Sequence, residues 1–117
     1  MIYTTLQPTN KEIRLLTISP GGLSQKLECN LNVVSLNSDP SYIALSYCWG
    51  DEKLRGYITV GDNEISITES LKEALRYLRS DKNDVVVWAD AICINQKDDE
   101  EKSFQIGYMG KIYSQGR

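Results

Sequence analysis

Residues 85–96 read VVVWADAICINQ, and their β-branched start predicts a buried strand over 85–89 that ends at Asp90. An almost continuously apolar run, YIALSYCW at 42–49, is typical of a strand covered on both faces. We expect a helix between the two runs, and a strand, a helix and a second strand form a βαβ unit with parallel strands. The sequence therefore predicts an α/β fold in which 42–47 and 85–89 are parallel neighbours.

The connecting helix is predicted over residues 68–79. Thr68 is a good N-cap, while Ser66 followed three residues later by Glu69 offers a capping box as the alternative start. Leucine and alanine side chains then recur at helical spacing through the segment. One face of this helix is therefore expected to pack on the sheet.

A second helix is predicted over 98–113, because the four acids at 98–101 complement the positive end of a helix dipole. On a wheel of about 100° per residue, one stripe of this helix carries two polar and three apolar side chains: Glu101, Gln105, Tyr108, Met109 and Ile112. Two polar side chains are therefore expected to face the sheet.

The remaining patterns are extended. Residues 12–36 predict a strand, a turn and a second strand, and 57–67 predict a hairpin that turns at 61–63. We interpret both as decorations of the βαβ unit. The predicted organisation is an N-terminal strand region over 1–41, followed by one structural unit over 42–117.

Composition narrows the functional classes. The 13 basic residues are scattered and face 16 acidic ones, so no basic stripe is available for nucleic acid. The apolar runs fall far short of the ~20 residues that cross a bilayer, which predicts no membrane association. The 3 cysteines are widely spaced and lack a CxxC pair, which favours reduced thiols and a cytoplasmic location.

The chain contains 0 histidines. Nucleophilic mechanisms that use an imidazole base are therefore excluded for this chain alone. Because the cysteines are also not clustered, the usual zinc ligand sets are missing and we predict no metal site. Any chemistry must use carboxylates, amides and backbone groups.

Polar side chains gather where a ligand would bind in an α/β sheet, beyond the carboxyl ends of the parallel strands. The candidate catalytic residues are Asp90 and Glu101. The candidate ligand-binding residues are Trp49, Gly50, Asp51, Asn95, Gln96 and Gln105. Carboxylates and amides of this kind suit a sugar or nucleotide bound through its hydroxyls.

Each candidate also has a structural interpretation. The tryptophans fit a buried core, Asp90 fits a capped turn, Asn95 and Gln96 are good turn residues, and Glu101 favours a helix start. No candidate taken alone is specific.

Four blocks of sequence resemble the fungal heterokaryon-incompatibility (HET) domain. They are YIALSYCWGD at 42–51, the leucine-rich pattern at 67–79, VWADAICINQ at 87–96, and a spaced pattern over 98–113. The resemblance implies a module for self/non-self recognition and programmed cell death that acts through protein partners, either other HET-type proteins, receptor proteins or a copy of itself. It also implies a remote likeness to the TIR fold, with the βαβ core as a TIR-like or flavodoxin-like half.

The resemblance leaves three hypotheses. The first is a partial HET domain that works by protein association and is not catalytic in this form. The second is a TIR-like effector that hydrolyses NAD with acidic residues at the strand ends, which makes NAD a substrate; no other cofactor is implied. The third is a truncated gene product without function. The family pattern continues into a further strand after 113, so we expect a truncated sheet with an open edge.

Overall fold

The computed structural model describes residues 3, 6, 11–22, 25–38, 40–45 and 55–115. Six strands form one sheet: β1 Glu12–Ile18, β2 Glu28–Ser35, β3 Ile43–Ala44, β4 Arg55–Val60, β5 Asn63–Thr68 and β6 Val85–Trp88. A 3-10 turn covers Leu36–Ser38. The helices are α1 Glu69–Leu78, α2 Asp90–Cys93 and α3 Asp99–Gln115.

The strands lie in the order β3-β6-β1-β2-β4-β5. β3 and β6 are parallel neighbours, with Ile43 opposite Val87. Just past β3, the Leu45 amide donates to the Trp88 carbonyl at 2.9 Å. The predicted α/β class is confirmed, and so is the parallel pairing where residues 43–45 meet β6, within a sheet that is mixed rather than parallel throughout. The rest of the predicted run, 46–49, lies outside the described residues.

The first strand occupies a different place from the one predicted. β1 lies between β6 and β2 and is antiparallel to both, with Leu16 opposite Val87 on β6. The interpretation of the first two strands as a decoration was therefore wrong. β1 is buried on both faces, as Ile13, Leu16 and Ile18 show, and such a strand needs neighbours on each side. The division of the chain at residue 42 stays a prediction.

Both predicted helices are present. α1 begins after Thr68, whose hydroxyl accepts a hydrogen bond from the Leu71 amide at 3.2 Å, so the simple N-cap is confirmed. α3 buries Glu101, Gln105 and Ile112, as the helical wheel predicted. The short helix α2 was not predicted, because four residues carry too little periodicity to be recognised.

The core fills the space between the sheet and the helices. Trp88 and Leu16 are fully buried there with Ile92 and Leu75. Cys29 and Cys93 are also buried, and desolvation raises the pKa of the Cys29 thiol to about 11 and that of Cys93 to about 12. Within the described ranges, every helix is too short or too polar to cross a membrane.

Candidate functional site

A buried ion pair joins the centre of the sheet to the start of α3. Arg14 on β1 donates from Nη2 to Glu101 Oε1 at 2.6 Å and from Nη1 to Glu101 Oε2 at 2.7 Å. The two side chains are only 2% and 4% exposed. A guanidinium and a carboxylate that meet at two points fix each other in orientation as well as in distance. This pair is therefore a rigid connection between β1 and α3.

The ion pair also holds the segment between α2 and α3. Arg14 Nη1 donates to the Cys93 carbonyl at 3.2 Å, and the Asn95 amide donates to Glu101 Oε2 at 2.6 Å. Asp98 Oδ1 accepts from the Glu101 amide at 3.1 Å and so caps the first turn of α3. Both carboxylate oxygens of Glu101 are thus occupied by protein donors, and the backbone on either side of Ile94 is fixed.

Tyr3 covers the ion pair from the outside. Its ring centre lies 4.7 Å from the Arg14 guanidinium carbon, and its hydroxyl donates to the Ile92 carbonyl at 2.7 Å. A cation over an aromatic face is favourable, and more so where water is kept away. Burial, with a smaller effect from the charge of Cys93, raises the pKa of the Tyr3 hydroxyl. Tyr3 is therefore attached to the site through both its ring and its hydroxyl.

Gln105 lies next along the buried stripe of α3. Its Nε2 donates to the Glu12 carbonyl at 2.8 Å, at the start of β1. Its Oε1 is buried without a hydrogen-bond partner among the residues that the structure describes. Because β1 is antiparallel to β6, its start lies at the carboxyl end of β6, which is the end where the sequence placed the candidate site.

A cleft of about 580 Å³ opens beside the held segment. One wall consists of Asn95, Gln96 and Lys97, and the opposite wall is the β4–β5 hairpin. The wall is ordered by its own hydrogen bonds: Gln96 Nε2 donates to the Asp90 carbonyl at 2.9 Å, and the Lys97 amide donates to Asn95 Oδ1 at 3.2 Å. The volume lies in the range of ordinary ligand pockets.

The structure thus brings several predicted residues to one end of the sheet. Asn95 and Gln96 line the cleft, Glu101 lies behind them, and Gln105 lies further along the buried face of α3. Asp90 opens α2 and is half-buried. The predicted ligand residues Trp49, Gly50 and Asp51 lie outside the described residues. The assignment of Asp90 and Glu101 as catalytic stays a prediction.

Sequence reasoning missed two residues of this site, Arg14 and Tyr3. Arg14 did carry a signal, because it is a lone charge inside the largely apolar run IRLLTI at 13–18. A charged side chain in a buried strand requires a partner of opposite charge. Tyr3 carries no comparable signal. Among the described ranges, no group of three or more histidine, cysteine or carboxylate side chains is placed to hold a metal ion.

Comparison with known proteins identifies the family. The sequence matches the heterokaryon incompatibility protein (HET) family over residues 42–117. The chain belongs to the HET family. It is also 39% identical, over 124 aligned residues, to heterokaryon incompatibility protein 6, OR allele, of Neurospora crassa. That alignment covers 93% of this chain and 18% of the Neurospora protein, so the chain spans less than a fifth of its relative. No solved structure matches the chain.

The buried ion pair contacts the segment that carries the HET match. The segment WADAICINQ at 88–96, the most specific part of the HET resemblance, forms the end of β6, all of α2 and the first residues of the cleft wall. Glu101 belongs to the matched region, whereas Arg14 lies before it. The HET-matched segment is therefore held in place by a residue outside the match.

Proposed function

We propose that this HET-family chain takes part in heterokaryon incompatibility as a self/non-self recognition and cell-death signalling module that acts by binding other proteins. The observation that carries the proposal is the position of the segment 88–96, which the Arg14–Glu101 pair holds rigidly at the rim of an open cleft. Family membership supports the incompatibility role. The proposed partners are HET-type or receptor proteins, or a second copy, in the cytoplasm.

The chemistry of the described residues supports association rather than catalysis. Glu101, one of the two acid/base candidates, accepts from Arg14 on both oxygens and from the Asn95 amide on Oε2. A general base must come within hydrogen-bond reach of its substrate, and the Glu101 side chain is only 4% exposed. The raised pKa values of Cys29 and Cys93 keep both thiols protonated at neutral pH, and a protonated thiol is a poor nucleophile.

The parallel neighbours β3 and β6, with α1 between them in the chain, also support a TIR-like core as part of this proposal. In that arrangement α1 belongs to the crossover between two strands of a parallel βαβ unit. The unit over 42–117 is proposed as a partial HET domain on this basis, and β1 and β2 complete its sheet by lying between β6 and β4.

Expression of the chain in living cells tests the proposal. We expect induced expression in a fungal strain that carries the Neurospora crassa relative to lower viability, measured with a vital dye. A matched strain expressing Glu101→Ala, which leaves Arg14 buried without its partner, should survive. The proposal would be contradicted if cells survived although the native chain accumulated in them to at least the level of the Glu101→Ala variant.

An NAD assay separates association from the enzymatic hypothesis. Purified chain is incubated with NAD, and released nicotinamide is measured by chromatography. We expect no sustained release, because the Glu101 carboxylate is occupied. Sustained turnover that is lost in Glu101→Gln would overturn the association mechanism and establish the NAD-hydrolysing one.

A further inference from the structure

The cleft runs along the edge strand β5 of the sheet that the described residues form. β5 is the last strand in the order β3-β6-β1-β2-β4-β5, and β4 is its neighbour on the inner side. Five consecutive residues of β5, from 63 to 67, line the cleft. Successive side chains of a strand point to opposite faces, so consecutive residues line one cavity only when the cavity meets the edge of the strand. The cleft therefore faces the backbone of β5.

The register of the hairpin shows which backbone groups face the cleft. Thr59 on β4 is opposite Glu64 on β5. The Thr59 amide donates outward to the Leu27 carbonyl at 3.1 Å, toward β2. In an antiparallel pair, residues directly opposite each other either both face inward or both face outward. The amide and carbonyl of Glu64 therefore point away from β4 and into the cleft, and those of Ser66 do the same.

One of these outward groups is already occupied from within the hairpin. Arg55 Nη2 donates to the Ser66 carbonyl at 2.9 Å, and Arg55 Nε donates to the Ser66 hydroxyl at 3.0 Å. The Ser66 carbonyl is therefore bonded by a side chain of β4 and not by the backbone of β4. Within the part of the chain that the structure describes, the amides of Glu64 and Ser66 and the carbonyl of Glu64 are left as the pairing groups of the edge.

The charges that line the cleft favour an acidic occupant. Arg55 and Lys97 both line it, and Arg55 donates its hydrogen bonds to neutral acceptors on Ser66. Among the described residues that line the cleft, Glu64 is the one with a carboxylate, and its Oε2 lies 3.2 Å from Lys26 Nζ. The two cations Arg55 and Lys97 outnumber this one carboxylate in the described lining, and their charge attracts a negatively charged side chain.

We propose that the edge of β5 binds an extended segment of a partner protein that carries acidic side chains, adding it to the sheet as a further strand. Main-chain hydrogen bonds to Glu64 and Ser66 supply the affinity, and Arg55 and Lys97 select the acidic residue. Asn95 and Gln96 form the opposite wall, which the buried ion pair holds in place before binding. This inference rests on the proposed function in one respect, because both assume that the partner is a protein.

Two synthetic peptides of about eight residues test charge selection. One alternates valine with aspartate, and the other has lysine in place of aspartate. We expect the aspartate peptide to bind the full chain, measured by fluorescence anisotropy, and the lysine peptide to bind at least about tenfold more weakly. Lys97→Ala should weaken the aspartate peptide about two- to fivefold, as expected for an exposed ion pair. Equal binding of the two peptides would overturn the proposal.

A proline substitution tests strand addition. Glu64→Pro removes the outward amide and leaves the ladder with β4, because proline is tolerated on an edge strand where the amide faces outward. We expect at least about a tenfold loss of binding, whereas the matched variant Glu64→Ala, which keeps the amide and removes a like charge, should bind at least as tightly as the native chain. Circular dichroism shows whether Glu64→Pro retains the native fold.

Amide hydrogen exchange on the native chain tests strand addition without a variant, so the result does not depend on whether Glu64→Pro folds. The aspartate peptide should slow exchange at Glu64 and Ser66 more than at Ile65, whose amide already faces β4. Unchanged exchange at Glu64 and Ser66, or equal binding by Glu64→Pro and Glu64→Ala, would overturn the inference. So would a native dimer that Glu64→Pro converts to monomers, because the occupant would then be a second copy. If the native chain still lowered the viability of the fungal strain, any of these outcomes would overturn the strand-addition proposal and leave the proposed function intact.

Discussion

Arg14 and Glu101 are 87 residues apart in the chain, yet they meet at two points inside the protein, at 2.6 and 2.7 Å. Their geometry connects the central strand of the sheet to the helix that follows the HET segment. The same two side chains bind the backbone at Cys93 and Asn95. One buried pair thus fixes three parts of the chain, which makes it the main determinant of the cleft wall.

Breaking this pair should destabilise the fold strongly. Arg14→Met leaves a buried carboxylate without its counter-ion, and we expect the free energy of unfolding to fall by about 3–5 kcal/mol. Urea denaturation followed by circular dichroism measures the change. The exposed pair of Lys26 and Glu64 is the control, and Lys26→Met should cost less than about 1 kcal/mol.

The double variant Arg14→Met with Glu101→Leu distinguishes a charge effect from a packing effect. Replacing both charges by apolar side chains removes the desolvation penalty, so we expect it to recover more than half of the loss caused by Arg14→Met. A double variant as unstable as the single one would show that the hydrogen bonds to Cys93 and Asn95 matter more than the charges.

Tyr3 should contribute to stability in spite of its place near the start of the chain. Tyr3→Leu removes the hydrogen bond to the Ile92 carbonyl and the contact with Arg14, and we expect a loss of about 1–2 kcal/mol in the free energy of unfolding. Tyr77, which is 89% exposed on α1, provides the matched control. Tyr77→Leu should change the same quantity by less than about 0.5 kcal/mol. Equal effects would mean that the Tyr3 contacts contribute nothing.

Much of the fold could be predicted from sequence, for a physical reason. The helices α1 and α3 and the strands β3 and β6 each carry a local pattern, either a repeated apolar spacing or a run of β-branched residues. The helical wheel even placed Glu101 and Gln105 on the buried face. Local patterns of this kind are properties of a single element, so one sequence is enough to show them.

The central place of β1 and the partner of Glu101 could not be predicted in this way. Both depend on contacts between elements far apart in the chain. Arg14 interrupts the apolar pattern of β1, so the strand lacks the continuous apolar run that predicts burial on both faces, although Arg14 itself is buried by its pairing. A lone charge in an apolar strand, taken together with a lone carboxylate on an apolar helix face, is the signal that would have joined the two.

The buried thiols make stability depend on pH in the alkaline range. The pKa values of Cys29 and Cys93 are raised from 9.0 to about 11 and about 12. Above pH 9 the unfolded chain loses these protons while the folded chain keeps them, so stability falls as pH rises. We expect the free energy of unfolding to decrease by up to about 1.4 kcal/mol per pH unit for each thiol. Cys93→Ala should reduce that slope between about pH 9 and pH 10, measured by urea denaturation, and an unchanged slope would contradict the prediction.

Asp98 allows the order of the cleft wall to be tested separately from the ion pair. Its carboxylate caps α3 by accepting from the Glu101 amide at 3.1 Å, and its carbonyl accepts from Lys102 at 2.9 Å. Asp98→Ala removes only the side-chain cap, and we expect a loss of about 1 kcal/mol in the free energy of unfolding.

Because the cap fixes the helix start that carries Glu101, amide hydrogen exchange should also become faster in Asp98→Ala at Asn95, the residue bonded to the Glu101 carboxylate. The neighbouring Asp99→Ala, which removes an exposed acid from the same turn, is the control and should leave exchange at Asn95 unchanged. Faster exchange in both variants would mean that helix-dipole charge, rather than the cap, orders the wall.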